Sequence, residues 1–175
     1  MRTIDPVLAA LSARVGEALQ SRGLTLATAE SCTGGWVAQV ITHTAGSSAW
    51  FDRGFVTYSN EAKQDMLGVS PTTLARHGAV SLETAAAMAA GALTHSRADV
   101  SLSITGIAGP TGGIPADVMS GSSGKPVGTV CFGWCFRDEA PVTCRKRFGG
   151  DRETVRYQSL AFVLESLLAH LAEKP

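Results

Sequence analysis

The chain has 175 residues, of which 45% are hydrophobic and 17% are charged, and its formal net charge is zero. This length fits a single domain covering residues 1–175, with enough apolar material for a continuous core. The charge balance excludes a general nucleic-acid binder, which would carry a basic excess. An anionic ligand would therefore have to meet local positive charge.

The four cysteines, Cys32, Cys131, Cys135 and Cys144, form no C-x-x-C pair and have no histidine at zinc-ligand spacing. The N-terminal residues lack the apolar stretch of a secretory signal. No run approaches the roughly 18 apolar residues that a membrane span needs. We therefore expect a soluble, cytoplasmic protein with no metal or other cofactor and with neither nucleic acid nor membrane as partner.

Helices and strands are predicted to alternate along the chain. The hydrophobic spacing predicts helices over 7–19, 33–43, 60–67, 82–95 and 151–172, a further helix starting near Pro71, and strands over 24–29, 51–58, 100–105, 126–136 and 142–148. Residues 106–125, dense in glycine, serine and proline, are predicted to be loop. The last two strands predict an antiparallel hairpin. The pattern indicates one three-layer α/β/α domain with a mixed sheet.

The segment AESCTGG, residues 29–35, lies at the first predicted strand-to-helix junction, where open α/β sheets bind their ligands. Ser31 can sit there on a tight turn with its hydroxyl facing a cleft. N–H groups at the helix start and around Gly34 and Gly35 could hold an oxyanion or a phosphate. A plain helix N-cap at Ser31 or Thr33 explains the same residues equally well.

The segment YSNEAK, residues 58–63, supplies a candidate base. A serine hydroxyl needs a group that accepts its proton, and a lysine can do this only when its pKa is lowered. Lys63 falls in the first turn of a predicted helix, where the positive end of the helix dipole lowers the pKa. Tyr58 could relay a proton or orient Ser31, and Asn60 could cap the helix or bind substrate. Alternatively, Tyr58 and Lys63 are an aromatic residue at the edge of the core and a solvated charge.

Two further junctions are candidates for ligand contact. The run ITGIAGPTGG, residues 104–113, ends a strand in glycines that let the backbone approach a ligand, although a plain connection is also compatible with it. Five basic residues surround the segment 148–151: Arg145, Lys146, Arg147, Arg152 and Arg156. Arg152 could hold a phosphate in a bidentate grip, with Asp151 as the helix cap. The alternative for this cluster is a solvated basic rim.

Cys32 competes with Ser31 for the role of nucleophile, because the nearby helix N-terminus is expected to lower the pKa of its thiol. No histidine partner is recognisable beside it, so Cys32 ranks second. The four histidines are interpreted as structural.

Six segments together are more informative than any one of them. They occur in the order AESCTGG at 29–35, YSNEAK at 58–63, HGAVS at 77–81, ITGIAGP at 104–110, KPVGTV at 125–130 and GDR at 150–152. This order resembles the C-terminal domain of the competence/damage-inducible CinA family, which includes stand-alone nicotinamide mononucleotide deamidases. The resemblance extends over residues 24–171.

The resemblance implies hydrolysis of the carboxamide of a small-molecule nucleotide, nicotinamide mononucleotide, to nicotinate mononucleotide and ammonia, without a metal. It implies that Ser31 attacks the amide carbon, that Lys63 is the general base and that Tyr58 assists proton transfer. It also implies a homodimer. The residues that would line the substrate pocket are Thr33, Gly34, Gly35, Asn60, Thr105, Gly106 and Arg152.

The sequence departs from the family pattern at residues 114–124, which intervene before the KPVG segment. This insertion could act as a lid beside the site, alter substrate preference or be surface loop, so an amidase for a different pyridine or ribosyl amide stays open. A regulatory module that binds a nucleotide without turnover is the other alternative. The co-occurrence of Ser31, Tyr58 and Lys63 favours the enzyme, because a binding module needs no nucleophile and base together.

Overall fold

The structure is a computed structural model, and it describes residues 4–112 and 124–174. Its centre is a five-stranded sheet with the strand order β2-β1-β3-β4-β5. The strands are β1 Leu26–Glu30, β2 Phe51–Val56, β3 Val100–Gly106, β4 Thr129–Phe136 and β5 Val142–Arg147. Strand β1 pairs in parallel with β2 and β3, whereas β4 is antiparallel to both β3 and β5. The predicted mixed sheet and late hairpin are confirmed.

Six α-helices and one short 3-10 helix are described. They are α1 Pro6–Gln20, α2 Trp36–His43, the 3-10 helix Ser47–Ala49, α3 Asn60–Leu67, α4 Pro71–His77, α5 Leu82–Thr94 and α6 Arg152–Ala172. Helix α2 begins three residues later than predicted because Gly34 and Gly35 take left-handed φ angles of 60° and 92°. The 3-10 helix was not predicted.

One face of the sheet packs against α1, α2 and α6. The sheet side chains on this face are large, and the most buried include Leu26, Leu102, Ile104, Phe132 and Trp134. Leucines and valines at helical spacing on α1 and α6 complete this core. In α1 and α6, the apolar stripe predicted from the sequence is therefore the buried face of the helix.

The other face of the sheet is built from small residues that let α5 lie close. Ser101 Oγ donates to Ala89 O and Ser103 Oγ donates to Ala85 O, each at 2.7 Å. At Gly133, an added Cβ would lie only 2.7 Å from Ala85 O. The alanine-rich sequence of α5 is thus needed for close packing, as predicted. Helices α3 and α4 pack against α5, which confirms the three layers.

Four strand ends meet at one edge of the sheet. Strands β1, β2, β3 and β5 run in the same direction, so their carboxyl ends lie together. Ligand sites of open α/β sheets lie at such an edge. In the part of the chain that the structure describes, no helix is both long and apolar enough to cross a membrane.

Candidate active site

Ser31 is the first residue after β1, at this carboxyl edge. Its N–H donates to Ile104 O at 2.9 Å, and its carbonyl accepts from Gly34 N–H at 3.0 Å. These two bonds fix a tight turn between β1 and α2. The Ser31 side chain is mostly buried, at 8% exposure, yet it reaches a cavity.

Lys63 projects from the first turns of α3 into the same turn. Its side chain is only 1% exposed, and Nζ lies 3.1 Å from Ser31 Oγ. Nζ also donates to the carbonyls of Thr57, Tyr58 and Ser59 at 2.9, 3.2 and 3.4 Å. Burial lowers the pKa of Lys63, because the ammonium form loses its solvation.

The three carbonyls could accept the three protons of an ammonium ion, and the arrangement is equally compatible with a neutral amine. A neutral amine has two N–H donors and one lone pair, so two carbonyls can accept its protons while the lone pair faces Ser31 Oγ. Burial lowers the pKa of Lys63 and so favours that neutral form. The two residues therefore form a candidate nucleophile and base in hydrogen-bond contact, and their catalytic roles stay a prediction.

Cys32 is a poor competitor for the nucleophile. Its thiol is buried, and desolvation raises its pKa to about 12, against the smaller lowering effects of its own backbone N–H, of Arg156 and of Lys63. The expectation that a helix N-terminus would lower this pKa is wrong here, since burial dominates. The thiolate needed for attack is scarce at neutral pH.

A cavity of about 260 Å³ opens beside Ser31. Its lining includes six of the predicted site residues: Ser31, Tyr58, Lys63, Thr105, Gly106 and Arg152. The loop before α5 supplies another wall through Ala79 and Val80, two residues that were not predicted to lie at the site. Thr105 Oγ1 holds that wall by donating to Ala79 O at 2.7 Å. Within residues 4–112 and 124–174, no cluster of His, Cys, Asp and Glu side chains could hold a metal ion.

The other four predicted binding residues do not line this cavity. Gly34 and Gly35 form the left-handed turn that leads into α2, and Thr33 is fully buried below them. Asn60 is exposed on α3, and the helix is capped by Ser59, whose Oγ accepts from Ala62 N–H at 3.0 Å. Asn60 is thus not the cap that the sequence suggested. Contact of these four residues with a substrate stays a prediction.

Glu30 was not predicted as a site residue, and it places a negative charge at the turn between β1 and α2. Its buried carboxylate accepts hydrogen bonds from the N–H groups of Gly35, Val37 and Ala38 at 2.8 to 3.1 Å. A carboxylate already occupies the N-terminus of α2 and disfavours a phosphate there, and the expectation that this turn holds an oxyanion or a phosphate stays a prediction. The signal in the sequence was an acidic residue directly before a strand-to-helix turn.

Arg152 brings a cation to the cavity from the first position of α6. Nη1 donates to Gly109 O at 2.8 Å and Nη2 donates to the Tyr58 hydroxyl at 2.9 Å. Asp151 caps α6, as predicted, by accepting from Thr154 N–H at 2.8 Å. Tyr58 contributes its backbone carbonyl to Lys63 and its hydroxyl to Arg152, and the residue is 60% exposed. Its role in proton transfer stays a prediction.

The inserted segment 114–124 lies outside the described residues except for Gly124. Its expected influence on substrate preference therefore stays a prediction.

Fold and site together define a class of protein: a three-layer α/β/α domain with a buried serine–lysine pair at the carboxyl edge of its parallel strands. Residues 8–171 match the family model described as the CinA C-terminal domain. The chain belongs to the CinA C-terminal domain family, as the resemblance indicated.

Curated relatives cover nearly the whole chain. A protein of Escherichia coli strain K12 named nicotinamide-nucleotide amidohydrolase PncC is 56% identical over 163 residues, which are 93% of this chain and 94% of the relative. A Pseudomonas putida protein of the same name is 45% identical, over 94% of this chain and 97% of the relative.

Solved structures share the fold. The competence/damage inducible protein CihA of Agrobacterium tumefaciens has a TM-score of 0.89 at 42% identity, covering 99% of this chain and 100% of that one. A CinA superfamily protein of Klebsiella pneumoniae has a TM-score of 0.87 at 42% identity, covering 95% and 99% of the two chains.

Proposed function

We propose that this protein hydrolyses the carboxamide of nicotinamide mononucleotide to nicotinate mononucleotide and ammonia, with Ser31 as nucleophile and Lys63 as general base. The observation that carries the proposal is the buried contact of 3.1 Å between Lys63 Nζ and Ser31 Oγ. The name nicotinamide-nucleotide amidohydrolase, borne by relatives of up to 56% identity, supplies the substrate class.

In the first half of the reaction, neutral Lys63 accepts the Ser31 proton while Oγ attacks the carboxamide carbon. The C=O double bond opens to a tetrahedral oxyanion. When the C–N bond breaks, the leaving nitrogen takes the proton from Lys63 and departs as ammonia. The products of this half are an ester between Ser31 Oγ and the carboxyl group of nicotinate mononucleotide, and a lysine that is again neutral.

In the second half, a water molecule attacks the ester and Lys63 accepts its proton. The tetrahedral intermediate collapses, the bond to Ser31 Oγ breaks, and Lys63 returns the proton to Oγ. Nicotinate mononucleotide leaves with its carboxylate, and the released ammonia takes up the carboxylic proton in solution. Lys63 therefore acts as the base in both halves of the reaction, which is consistent with its direct contact with Ser31 Oγ.

The substrate phosphate needs a cation, because the α2 N-terminus is already occupied by Glu30. Arg152 and Lys63 are the basic residues in the described lining of the cavity, and Lys63 is committed to Ser31. A guanidinium has five N–H donors, and two of those of Arg152 have protein partners in the described part of the chain. We assign Arg152 to the phosphate, with Thr105 and Gly106 against the rest of the substrate.

The test is a substrate panel with the purified full chain and no added metal. Nicotinamide mononucleotide, nicotinamide riboside, free nicotinamide and a simple aliphatic amide are compared by ammonia release and by chromatography of the acid product. We expect turnover of the mononucleotide to exceed that of the other three. Faster turnover of an unphosphorylated amide would assign a different substrate, and nucleotide binding without any product would favour a regulatory module.

A further inference from the structure

We propose that Arg156 is a positioning residue that aims the backbone N–H of Cys32 at the oxyanion formed on the substrate. The inference rests on the proposed function, because an oxyanion arises only when Ser31 attacks a carbonyl carbon. Arg156 belongs to α6, one turn after Arg152, and in the sequence it is one member of a basic cluster.

The backbone donors of the turn leave few choices for an oxyanion partner. Ser31 N–H donates to Ile104 O, Gly34 N–H to Ser31 O and Trp36 N–H to Thr33 O. The Glu30 carboxylate accepts from the next three donors, on Gly35, Val37 and Ala38.

Among the described residues, the N–H groups of Cys32 and Thr33 donate to no other residue of the chain, and the Cys32 N–H contacts its own thiol, whose pKa it lowers. Thr33 is fully buried and does not line the cavity, whereas Cys32 lines it beside Ser31. The Cys32 N–H, directly after the nucleophile, is therefore the donor of this turn that a tetrahedral intermediate on Ser31 can reach. In α/β-hydrolases, the residue directly after the nucleophile likewise supplies a backbone N–H to the oxyanion.

Arg156 binds backbone carbonyl groups of the turn between β1 and α2. Nε donates to Cys32 O at 3.1 Å and Nη2 donates to Thr33 O at 3.0 Å, so one planar guanidinium binds two successive carbonyls. The guanidinium also lies over the Trp36 ring, 5.2 Å from its centroid. Stacking and two hydrogen bonds fix the plane of the Arg156 head group.

The hydrogen bonds of Arg156 constrain the direction of the Cys32 N–H through two peptide groups. In a trans peptide the C=O and N–H point in opposite directions. Holding Thr33 O therefore aims Gly34 N–H the other way, at Ser31 O, which it meets at 3.0 Å. Ser31 O belongs to the same peptide as Cys32 N–H, so fixing this carbonyl fixes the direction of the proposed donor.

The test compares Arg156→Met with Arg156→Lys, using Arg22→Met as the matched control. Arg22 Nη1 also donates to a backbone carbonyl, Ala18 O at 3.1 Å, but it lies away from the cavity. We expect Arg156→Met to lower kcat by about 10- to 100-fold with little change in KM, a smaller effect than deleting an oxyanion donor outright. Arg156→Lys keeps the charge but lacks the planar fork, so it should fall in between.

Ligand binding separates positioning from general stability. The aldehyde analogue of nicotinamide mononucleotide can form a tetrahedral adduct with Ser31, whereas the product nicotinate mononucleotide cannot. We expect Arg156→Met to weaken the aldehyde by about the same factor as kcat and the product by less than about twofold. Equal weakening of both ligands, or a kcat within about twofold of wild type, would overturn the inference.

Two possible complications are a variant that does not fold and a wild-type protein without amidase activity. If Arg156→Met does not fold, as judged by urea denaturation, Arg156→Lys carries the same comparison of aldehyde with product. If the wild-type protein releases no ammonia from any amide of the panel, the proposed function fails and this inference fails with it. Activity of the wild type together with unchanged ligand selectivity in the variants would overturn this inference alone.

Discussion

Arg152 Nη2 donates a hydrogen bond to the Tyr58 hydroxyl at 2.9 Å, and this contact joins the first turn of α6 to the segment after β2. Both residues line the cavity, and both are exposed on its rim. Arg152 is further tied to Gly109 O at 2.8 Å, so three segments of the chain set the direction of its guanidinium. A cation held in this way is prepared for an anion without first having to become ordered.

Arg152→Ala should raise KM for nicotinamide mononucleotide by about tenfold or more, with a smaller fall in kcat, because a hydrogen bond to a charged group is lost. Steady-state kinetics give both constants. With nicotinamide riboside, which lacks the phosphate, the same substitution should have little effect. Arg53→Ala removes an exposed arginine away from the cavity and serves as the control. Equal losses with and without the phosphate would contradict the assignment.

Ser31→Ala and Lys63→Met should each lower kcat by about 10³-fold or more, and the double variant should be little worse than either one. The reason is that the pair acts as a unit: without the base the hydroxyl is not activated, and without the hydroxyl the base has no nucleophile. Ammonia release measures the effect. Cys32→Ala is the control and should keep most activity, because its thiol has a pKa of about 12. Loss of activity in Cys32→Ala alone would move the nucleophile to Cys32.

The pH dependence of kcat should follow the neutral form of Lys63. Burial lowers the pKa of this lysine from its ordinary value of about 10.4, and only the unprotonated amine can accept the serine proton. The rate should therefore rise with pH and reach its plateau at a pH below that ordinary value. Lys63→Arg should stay inactive throughout, because a guanidinium keeps its proton. A rate that falls with rising pH over the same range would contradict a neutral lysine base.

The main features of the site were visible in the sequence because they follow from topology. Serine and lysine stand just beyond predicted strands, and the carboxyl ends of parallel strands share one edge of a sheet. The roles within the turn were less visible. Gly34 and Gly35 were expected to face a ligand, but their left-handed angles shape the chain. Glu30 caps N–H groups up to eight residues away, and tertiary packing decides that such a carboxylate points inward.

Glu30→Gln should destabilise the protein by about 1–3 kcal/mol. The carboxylate accepts three N–H bonds, whereas an amide offers one acceptor oxygen and turns an NH₂ donor towards the other N–H groups. Urea denaturation measures the change. Glu153→Gln, in the exposed first turn of α6, is the matched control and should be nearly neutral. Equal stability of the two variants would show that the buried cap contributes little.

Gly91→Ala tests whether close packing of α5 sets the position of the base. In an ordinary helix interior this change stabilises by about 0.5–1 kcal/mol. Here an added Cβ would lie 2.1 Å from Leu67 O, so α3, which ends at Leu67 and carries Lys63, would have to shift. We expect a loss of about 1–3 kcal/mol in unfolding free energy, as for overpacked cores, together with a lower kcat.

Urea denaturation and steady-state kinetics on the same preparation of Gly91→Ala measure both effects. Gly149→Ala is the matched control, because no heavy atom lies within 4 Å of its added Cβ. A stabilised Gly91→Ala protein with wild-type kcat would show that α3 is not held against α5 at this point. A destabilised protein with normal kcat would show that α3 yields without displacing Lys63 from Ser31. Only a joint loss supports α5 as the element that holds the base in place.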